Sequence, residues 1–273
     1  MVQPNTVNAR ALSGMIDVHC HILPGIDDGS PDWETTLAMA RMAADDGITL
    51  VIATPHQLGS HRANTSETIR SLVVEANRRL EDEGVPLVVR PGADVRIDDD
   101  LPERLADDSV VTLADQKRHV LLELPHELYV PLDGLLDRLE RMELVGILSH
   151  PERNAGIQRD PRIVHRLVDR GCLTQLTAGS LTGSFGESIQ RLSEVLLKRG
   201  VVHMVASDAH GLRRRRPILS RAYRRTCDLI GKRAADILFR ENPARIAQGK
   251  DVILELPTVR TSFWGAFWKR RAG

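Results

Sequence analysis

The amino-acid sequence predicts a single α/β domain in which parallel strands close into a barrel. Short apolar runs alternate with amphipathic stretches along most of the chain, a pattern typical of βαβ units and a parallel sheet. Glycines stand where several amphipathic stretches stop, as expected at the C-termini of helices. A histidine or an acidic residue follows almost every apolar run, which favours a barrel whose strand ends meet on one rim.

The predicted strands are short runs rich in Val, Ile and Leu, which fit a pleated and covered surface. The run over residues 48–53 is apolar on both faces, so we expect it to be covered on both sides. About seven strands are predicted, over residues 15–20, 48–53, 86–91, 119–124, 145–149, 172–177 and 202–206.

The predicted helices show the apolar spacing of three to four residues that marks an amphipathic helix. Gly47, Gly84, Gly171 and Gly200 directly follow four of them and are expected to adopt the left-handed conformation that ends a helix. Helices are predicted over residues 33–46, 67–83, 132–142, 161–170, 187–199, 216–230 and 234–239.

This alternation leaves two architectures open, an open doubly wound sheet and a closed barrel. The polar residues at the strand ends distinguish between them. In an open sheet, side chains from the two edge strands could not meet at one point, whereas the carboxyl ends of barrel strands converge. We therefore expect a barrel.

Length and composition exclude several classes of protein. A chain of 273 residues can bury a full core, as one large domain or two small ones. Lys plus Arg and Asp plus Glu both number 37, so a nucleic acid is not favoured as a partner. No apolar run approaches the roughly 20 residues of a transmembrane helix. The polar start of the chain and three scattered cysteines lead us to expect a cytoplasmic protein.

The first strand carries the clearest pair of candidate metal ligands. Alternate residues of a strand share a face, so Asp17, His19 and His21 are expected to point one way. Two histidines at this spacing can chelate one ion, and neutral imidazole is a good ligand for Zn, Fe and Mn. We expect Asp17 to orient a histidine. Val18 and Cys20 are expected on the opposite face, in the barrel wall.

Other strand ends add further ligand types. Glu123 lies within an apolar strand, where a carboxylate is costly to bury unless it is paired or bound to a metal. Asp208 and His210 repeat the spacing of the first pair. This number of ligands suits two or three ions bridged by carboxylates, and clustered divalent ions are typical of hydrolysis at phosphorus. The candidate metal ligands are His19, His21, Asp28, His56, Asp94, Glu123, His150, Asp208 and His210.

Arginines near the same rim are candidate phosphate-binding groups. Arg153 follows His150 by three residues, and an arginine run over residues 213–216 follows His210. Guanidinium groups bind phosphate oxygens through two parallel hydrogen bonds. Arg153 and Arg215 are predicted to bind phosphate, and at least two arginines of the run are expected to form a solvated basic surface.

Taken in order, these motifs resemble those of the polymerase and histidinol phosphatase (PHP) superfamily. More closely, the chain is similar, from about residue 15 to residue 256, to the bacterial manganese-dependent protein-tyrosine phosphatases of capsule and exopolysaccharide operons. The motifs are Asp17-Val18-His19-Cys20-His21 with Asp27-Asp28-Gly29, Thr54-Pro55-His56, Ser149-His150-Pro151-Glu152-Arg153, Ser207-Asp208-Ala209-His210 and Glu241-Asn242-Pro243-Ala244-Arg245.

The resemblance implies a distorted (β/α)7 barrel and a site for three divalent metal ions, with manganese favoured and iron or zinc as alternatives. It makes the nine candidates metal ligands and makes Arg153 and Arg215 phosphate binders. His56 and Asp208 are also expected to take part in catalysis. The family usually has Glu where this chain has Asp94, a bridging position, so one ion is expected to be held less firmly or through water.

The implied reaction is direct hydrolysis of phosphotyrosine by a metal-activated hydroxide, without a phosphoenzyme. The implied partner is a membrane-bound bacterial tyrosine autokinase that carries phosphotyrosine on its tail. A phosphatase for a small metabolite such as histidinol phosphate would use the same ligands and stays open as an alternative. The spacing Cys227-x5-Arg233 would suit a cysteine phosphatase, but it lies in a predicted helix with one glycine, Gly231.

Three segments are expected: an N-terminal extension over residues 1–14, a barrel over residues 15–257 and a tail over residues 258–273. The tail places four aromatic residues beside basic ones, so it could pack on the barrel, make a weak contact with a membrane surface or dock a partner. A docking or scaffold protein is therefore the alternative from another class. A location at the inner face of the membrane is an expectation that depends on this tail.

Overall fold

A computed structural model of the protein describes residues 9–256. Strands and helices alternate through these residues, as predicted for an α/β domain. The strand segments are β1 (Met15–Cys20), β2 (Ile48–Ala53), β3 (His56–Gln57), β4 (Val88–Pro91), β5 (Asp94–Arg96), β6 (His119–Glu123), β7 (Val145–Ser149), β8 (Leu173–Thr177) and β9 (Met204–Ala206).

The strands form a closed ring of parallel pairings. One row runs β1-β2-β4 and the other runs β3-β5-β6-β7-β8-β9. Two residues separate β2 from β3, and two separate β4 from β5, so each couple forms one interrupted strand. The ring closes where the Asp208 N–H donates to the His19 carbonyl and the His21 N–H donates to the Ala209 carbonyl, both at 2.8 Å. The predicted seven-stranded, distorted barrel is confirmed.

Helices cover the outside of this ring. The four glycines predicted to end helices all have positive φ, between 63° and 88°. Short 3-10 turns at Ala9–Leu12, Leu113–Asp115 and Pro151–Arg153 and a π turn at Ile237–Glu241 complete the described elements. The helices are α1 (Trp33–Asp45), α2 (Ser66–Asp82), α3 (Leu101–Ala106), α4 (Asp133–Arg141), α5 (Ala155–Arg159), α6 (Arg162–Asp169), α7 (Ala178–Leu181), α8 (Glu187–Lys198), α9 (Ser220–Ile230), α10 (Lys232–Asp236) and α11 (Asn242–Ala247).

The predicted helix over residues 216–230 is wrong at its start. Helix α9 begins at Ser220, because Asp46 at the end of α1 supplies its cap from a distant part of the chain. The Asp46 carboxylate accepts the N–H groups of Leu219 and Ser220 at 2.7 and 2.8 Å and the Ser220 hydroxyl at 2.5 Å. A helix start leaves backbone N–H groups without partners inside the helix, so this carboxylate fixes where α9 begins.

Two apolar clusters hold the barrel together. The larger packs the strands against the covering helices and contains Cys20. The smaller draws on six strands and α11, fills the barrel interior, and contains Ile16 and Val18. The register of β1 against β2 is irregular between Asp17 and Cys20. The prediction that Val18 and Cys20 share a face is therefore wrong, because the irregularity changes the alternation of side chains.

Several expectations concern residues at the two ends of the chain. The predicted tail over residues 258–273 lies outside the described residues, as do residues 1–8 of the predicted N-terminal extension. Its remaining part packs against the barrel, since the Thr49 hydroxyl donates to the Ala11 carbonyl at 2.8 Å. Within residues 9–256, each helix is too short or too polar to pass through a bilayer.

Candidate metal centre

All nine predicted metal ligands meet at the carboxyl ends of the barrel strands. They form four overlapping groups, and within each group one nitrogen or carboxylate oxygen of every member lies within 4.8 Å of the others. The groups are His21 with Asp28, His56 and His210; His19 with His21 and Asp94; His19 with His150 and Asp208; and His56 with Asp94 and Glu123.

The innermost part of the centre surrounds His19. Its Nε2 atom lies 3.2 Å from His21 Nε2, 3.3 Å from Asp208 Oδ1 and 3.5 Å from Asp94 Oδ2. These four residues are fully buried. His19 therefore stands between two carboxylates that come from different sides of the barrel.

The outer part of the centre surrounds His56. Its Nδ1 atom lies 3.5 Å from Asp94 Oδ2 and 3.6 Å from Glu123 Oε2, and its Nε2 atom lies 3.4 Å from Asp28 Oδ1. His210 Nε2 approaches the same Asp28 oxygen at 3.3 Å. The side chain of Asp28 is 61% exposed and that of His56 is 18% exposed, so the centre opens to solvent on this side.

Two side chains that the sequence analysis did not assign fix the orientation of the first histidine pair. His19 Nδ1 donates to Gln175 Oε1 at 2.9 Å, and His21 Nδ1 donates to Asp27 Oδ2 at 2.7 Å. Since both acceptors are oxygens, Nδ1 carries a proton in each ring, and Nε2 is the atom that faces the cluster and can coordinate an ion. Such outer hydrogen bonds commonly hold histidine ligands in position. The role of Asp27 could have been suspected from the sequence, because this residue is adjacent to the candidate ligand Asp28.

Asp17 does not take the role predicted for it. Its Oδ1 accepts the Ser207 N–H at 2.9 Å, and its Oδ2 accepts the Ser207 hydroxyl at 2.5 Å. Its contact with His19 is to the backbone N–H at 3.4 Å, not to the ring. Burial raises the pKa of Asp17 to about 6, although the Ser207 bonds oppose this shift. Asp17 thus joins β1 to the segment after β9.

Both predicted phosphate-binding arginines lie in the centre and contact Asp208. Arg153 forms an ion pair with Asp208 Oδ2, and Arg215 Nη2 lies 2.5 Å from Asp208 Oδ1. The Arg153 guanidinium also stacks on Phe185, 4.6 Å from the ring centre. Cation–π attraction to the ring stabilises the flexible Arg153 side chain in this position.

Three residues of the centre have a backbone conformation that is uncommon outside glycine. His150, Asp208 and Arg215 have φ values of 32°, 52° and 49°. Non-glycine residues in the left-handed region carry strain and concentrate at functional sites. The turn at His150 is tied to its neighbours by the buried Glu152, whose Oε1 accepts the Thr177 N–H at 3.0 Å and the Ser180 hydroxyl at 2.7 Å.

Burial and charge set the pKa values of the centre. Burial alone would lower the pKa of His19, but Asp208 and Asp94 raise it to about 9. Burial would also lower the pKa of His56, but the hydrogen bond to Asp28 and the charge of Asp94 raise it to about 9. Burial lowers the pKa of His21 to about 4. The carboxylates therefore favour the protonated forms of His19 and His56, and divalent cations would replace those protons.

Burial raises the pKa of Glu123 to about 7, and the charge of Asp94 adds to that shift. Burial also acts to raise the pKa of Asp94 and of Asp208, yet nearby histidines, with Arg215 beside Asp208, bring both below the usual range. The centre therefore keeps two fully buried carboxylates charged, which is costly unless cations compensate them.

Asp94 provides the test of whether these residues fit metal ions. Neither of its carboxylate oxygens accepts a hydrogen bond from any residue in 9–256, although both are buried. Buried carboxylates are normally hydrogen-bonded, paired or bound to metal. Mixed histidine and carboxylate donors suit Mn, Fe and Zn. The residues present therefore fit divalent ions.

The arrangement needed for a cysteine phosphatase is not formed. Cys227 lies inside α9, and Arg233 lies in α10, where it forms an ion pair with Glu241. A phosphate cradle would require a loop whose backbone N–H groups point at the thiol. Cys20 is fully buried in the larger apolar cluster.

The chain is similar to several known proteins. The chain matches the family model described as capsular polysaccharide synthesis, CpsB/CapC, over residues 15–248. Tyrosine-protein phosphatase YwqE of Bacillus subtilis strain 168 is 38% identical over 203 residues, which are 74% of this chain and 79% of the relative. Tyrosine-protein phosphatase CpsB of Streptococcus pneumoniae is 28% identical over 238 residues, which are 85% of this chain and 98% of the relative.

The fold has a similar counterpart among solved structures. It comes from a crystallographic description of YwqE from Bacillus subtilis and CpsB from Streptococcus pneumoniae as metal-dependent tyrosine phosphatases. The superposition has a TM-score of 0.82 at 32% sequence identity and covers 88% of this chain and 96% of that chain.

Proposed function

Because the chain belongs to the CpsB/CapC family of capsular polysaccharide synthesis and is a metal-dependent tyrosine phosphatase, we propose that its nine clustered side chains hold three divalent metal ions. The observation that carries this proposal is the set of four overlapping groups. Nine donors exceed what one ion accepts, and His19, His21, His56 and Asp94 each belong to two groups. Asp94 is the one carboxylate among these four residues and is suited to bridge two ions, and manganese is the ion we expect.

Bound ions would activate a water molecule and neutralise the charge of the phosphoryl oxygens. Arg153 and Arg215 bind those oxygens, because guanidinium forms paired hydrogen bonds with phosphate. Asp208 contacts both arginines and keeps them directed at the centre. Asp208 therefore both holds metal and positions the substrate-binding arginines.

The tyrosyl group of the substrate lies on the open side of the centre, near Asp28 and His56. His56 has a more exposed side chain than His19 or His21, and we assign it the contact with the leaving oxygen. The phenol of tyrosine has a pKa near 10, so departure of the phenolate needs little help from an acid.

The substrate we propose is a phosphotyrosine protein of capsule or exopolysaccharide synthesis. The specific protein we propose is a membrane-bound tyrosine autokinase. The family description supports the capsule assignment. The proposed place of action is the cytoplasm, at the inner face of the membrane. Co-sedimentation with liposomes, compared between the full chain and a chain ending at residue 257, tests the membrane contact of the tail.

One experiment tests the central proposal. Metal analysis of the purified protein should give about three ions per chain, and removal of metal with a chelator should abolish hydrolysis of a phosphotyrosyl peptide. Manganese should restore activity, and alkylation of thiols should leave it unchanged. Faster hydrolysis of histidinol phosphate than of the peptide would contradict the substrate assignment, and one ion per chain would contradict the three-metal centre.

A further inference from the structure

A cavity rich in arginine lies beside the metal centre, on the side of the barrel formed by β8 and β9. Its volume is about 540 Å³. The walls come from the end of β8, the start of α7, the loop that carries Phe185, and the arginine run. None of the described residues that line it is acidic. Five arginines contribute to the walls: Arg213, Arg214, Arg215, Arg216 and Arg221.

Four of these arginines have no counter-charge among the described residues. Arg213, Arg214, Arg216 and Arg221 form no ion pair with any residue of the part of the chain that the structure describes. Other exposed arginines, such as Arg141 and Arg159, also form no ion pair with the described residues, but they do not line this cavity. Because the whole chain has equal numbers of basic and acidic residues, the cationic excess is a local property of this cavity.

The backbone explains why one arginine of the run serves the metal centre while its neighbours line the cavity. Arg215 has a φ of 49°, and its Nε donates to the Asp208 carbonyl at 3.1 Å. The His210 N–H donates to the Arg215 carbonyl at 2.8 Å and closes the turn. Arg215 is therefore held against the centre, whereas Arg213, Arg214 and Arg216 stay exposed.

Arg215 belongs both to the cavity wall and to the metal centre, so the two sites are adjacent. Phe185 connects them a second time, because it lines the cavity and stacks under Arg153. A polypeptide whose phosphotyrosine occupies the centre can place neighbouring residues in the cavity. Thr177, Thr182 and Ser184 in the wall add hydroxyl groups to the guanidinium donors.

We propose that this cavity is a substrate subsite that binds carboxylate side chains flanking the phosphotyrosine of the protein substrate. The proposal rests on the phosphotyrosine activity proposed above and adds a sequence preference to it. Guanidinium groups bind carboxylates in paired hydrogen bonds. A cleft of one charge also concentrates oppositely charged ligands. The preference should weaken as salt is added, because the arginines are exposed and their charge is screened.

The test compares two phosphotyrosyl peptides of equal length, one flanked by glutamates on both sides and one flanked by glutamines. Wild-type protein should show a kcat/KM about tenfold higher for the glutamate peptide at low salt. The triple variant R213Q/R216Q/R221Q should reduce this ratio to about one. A ratio taken within one preparation does not depend on the fraction of protein that is folded. Equal kcat/KM values for the wild type, or a ratio that survives in the variant, would overturn the subsite.

A control variant and a small substrate make the comparison specific. R141Q/R159Q/R199Q removes three exposed arginines that do not line the cavity, and it should keep the wild-type ratio. Hydrolysis of p-nitrophenyl phosphate should be similar in all three proteins, because this substrate is too short to reach the cavity. Loss of the ratio in the control as well would show that net charge, not the cavity, causes the preference.

A further arm separates this subsite from the proposed function. A polyglutamate peptide without phosphotyrosine should inhibit p-nitrophenyl phosphate hydrolysis by the wild type and not by R213Q/R216Q/R221Q. If phosphotyrosyl peptides are not hydrolysed but this inhibition is seen, the phosphotyrosine assignment fails and the anionic subsite stands. If inorganic phosphate alone inhibits the wild type more strongly than R213Q/R216Q/R221Q, the cavity binds a small anion and the proposal is wrong.

Discussion

Asp94 is the residue whose surroundings most clearly require a cation. Its Oδ2 atom lies 3.5 Å from both His19 Nε2 and His56 Nδ1. Although Asp is shorter than the Glu that the family usually has here, its side chain still belongs to two of the four ligand groups. Neither oxygen accepts a hydrogen bond from the described residues. Its negative charge is therefore balanced by neighbouring histidines or by metal ions, and an uncharged amide could not take its place.

The variant D94N should lose at least one metal ion per chain and at least about 100-fold in kcat/KM. The amide keeps the shape of the side chain but removes the charge that attracts the ions. Metal content and phosphotyrosyl peptide hydrolysis provide the measurement. D98N is a matched control, because Asp98 pairs with Arg62 away from the centre. Wild-type metal content in D94N would show that Asp94 is not a ligand.

The residues of the centre were predictable to different degrees. The nine side chains stand out as a set, because histidines and acids follow several strands whose carboxyl ends meet on one rim. Gln175 was not found, since an uncharged polar residue in a strand has many structural roles. The positive φ of His150 and Asp208 was not found either, because no glycine marks those positions.

Among the elements, the interrupted strands show where sequence patterns fail. The runs that end at Ala53 and Pro91 were predicted correctly, but the pairing resumes at β3 and β5 after two residues. Strand β3 has two residues, His56 and Gln57, which is too short for an alternation to be recognised. These two short segments place His56 opposite Asp94, so the part of the fold that was missed positions two of the nine candidate ligands.

Asp46 shows a second limit at this scale. Sequence patterns predict a cap from residues near the start of a helix, whereas α9 is capped by a residue from the end of α1. The distance in sequence between Asp46 and Ser220 is 174 residues. This contact joins the first helix to a late helix of the barrel, so it supports closure of the ring as well as the start of α9.

D46A should destabilise the folded protein by about 1–2 kcal/mol, since the loss of a helix cap has this magnitude. Urea unfolding followed by circular dichroism gives the value, and metal should be saturating so that its binding contributes equally. D45A changes the neighbouring exposed residue and should stay within about 0.5 kcal/mol of the wild type. If D46A and D45A unfold at the same urea concentration, the cap does not contribute to stability.

At the scale of the whole molecule, the two rims of the barrel differ in charge. The carboxyl ends of the strands hold charged carboxylates, which raise the pKa of His19 and of His56 against the effect of burial. At the amino ends, His119 begins β6 and His203 precedes β9, and both are almost fully buried. Burial lowers the pKa of each to about 4, and the charge of Arg118 adds to the shift of His119. The overall barrel could be predicted from strand ends, but the neutral state of these two histidines could not, because it depends on packing.

His203 shows why protonation is unfavourable in the folded state. Its Nδ1 accepts the Thr174 N–H at 3.1 Å, so a proton on that atom would break the bond and leave a buried charge. In the unfolded chain a histidine has its ordinary pKa of about 6.5. Between pH 6.5 and 4 the unfolded chain therefore binds more protons than the folded protein, and stability falls as the pH falls through this window.

Each of these histidines should reduce the free energy of unfolding by about 1 kcal/mol per pH unit between pH 6 and 5. The double variant H119Q/H203Q should be less stable at pH 8, where packing is disturbed, but its stability should depend less steeply on pH. Urea unfolding of metal-free protein at several pH values measures both slopes, because it removes the competing effect of proton release by metal ligands. H165Q changes a partly exposed histidine on α6 and serves as the control. A slope in H119Q/H203Q equal to that of the wild type would mean that acid destabilises the protein through the carboxyl rim, not through these two histidines.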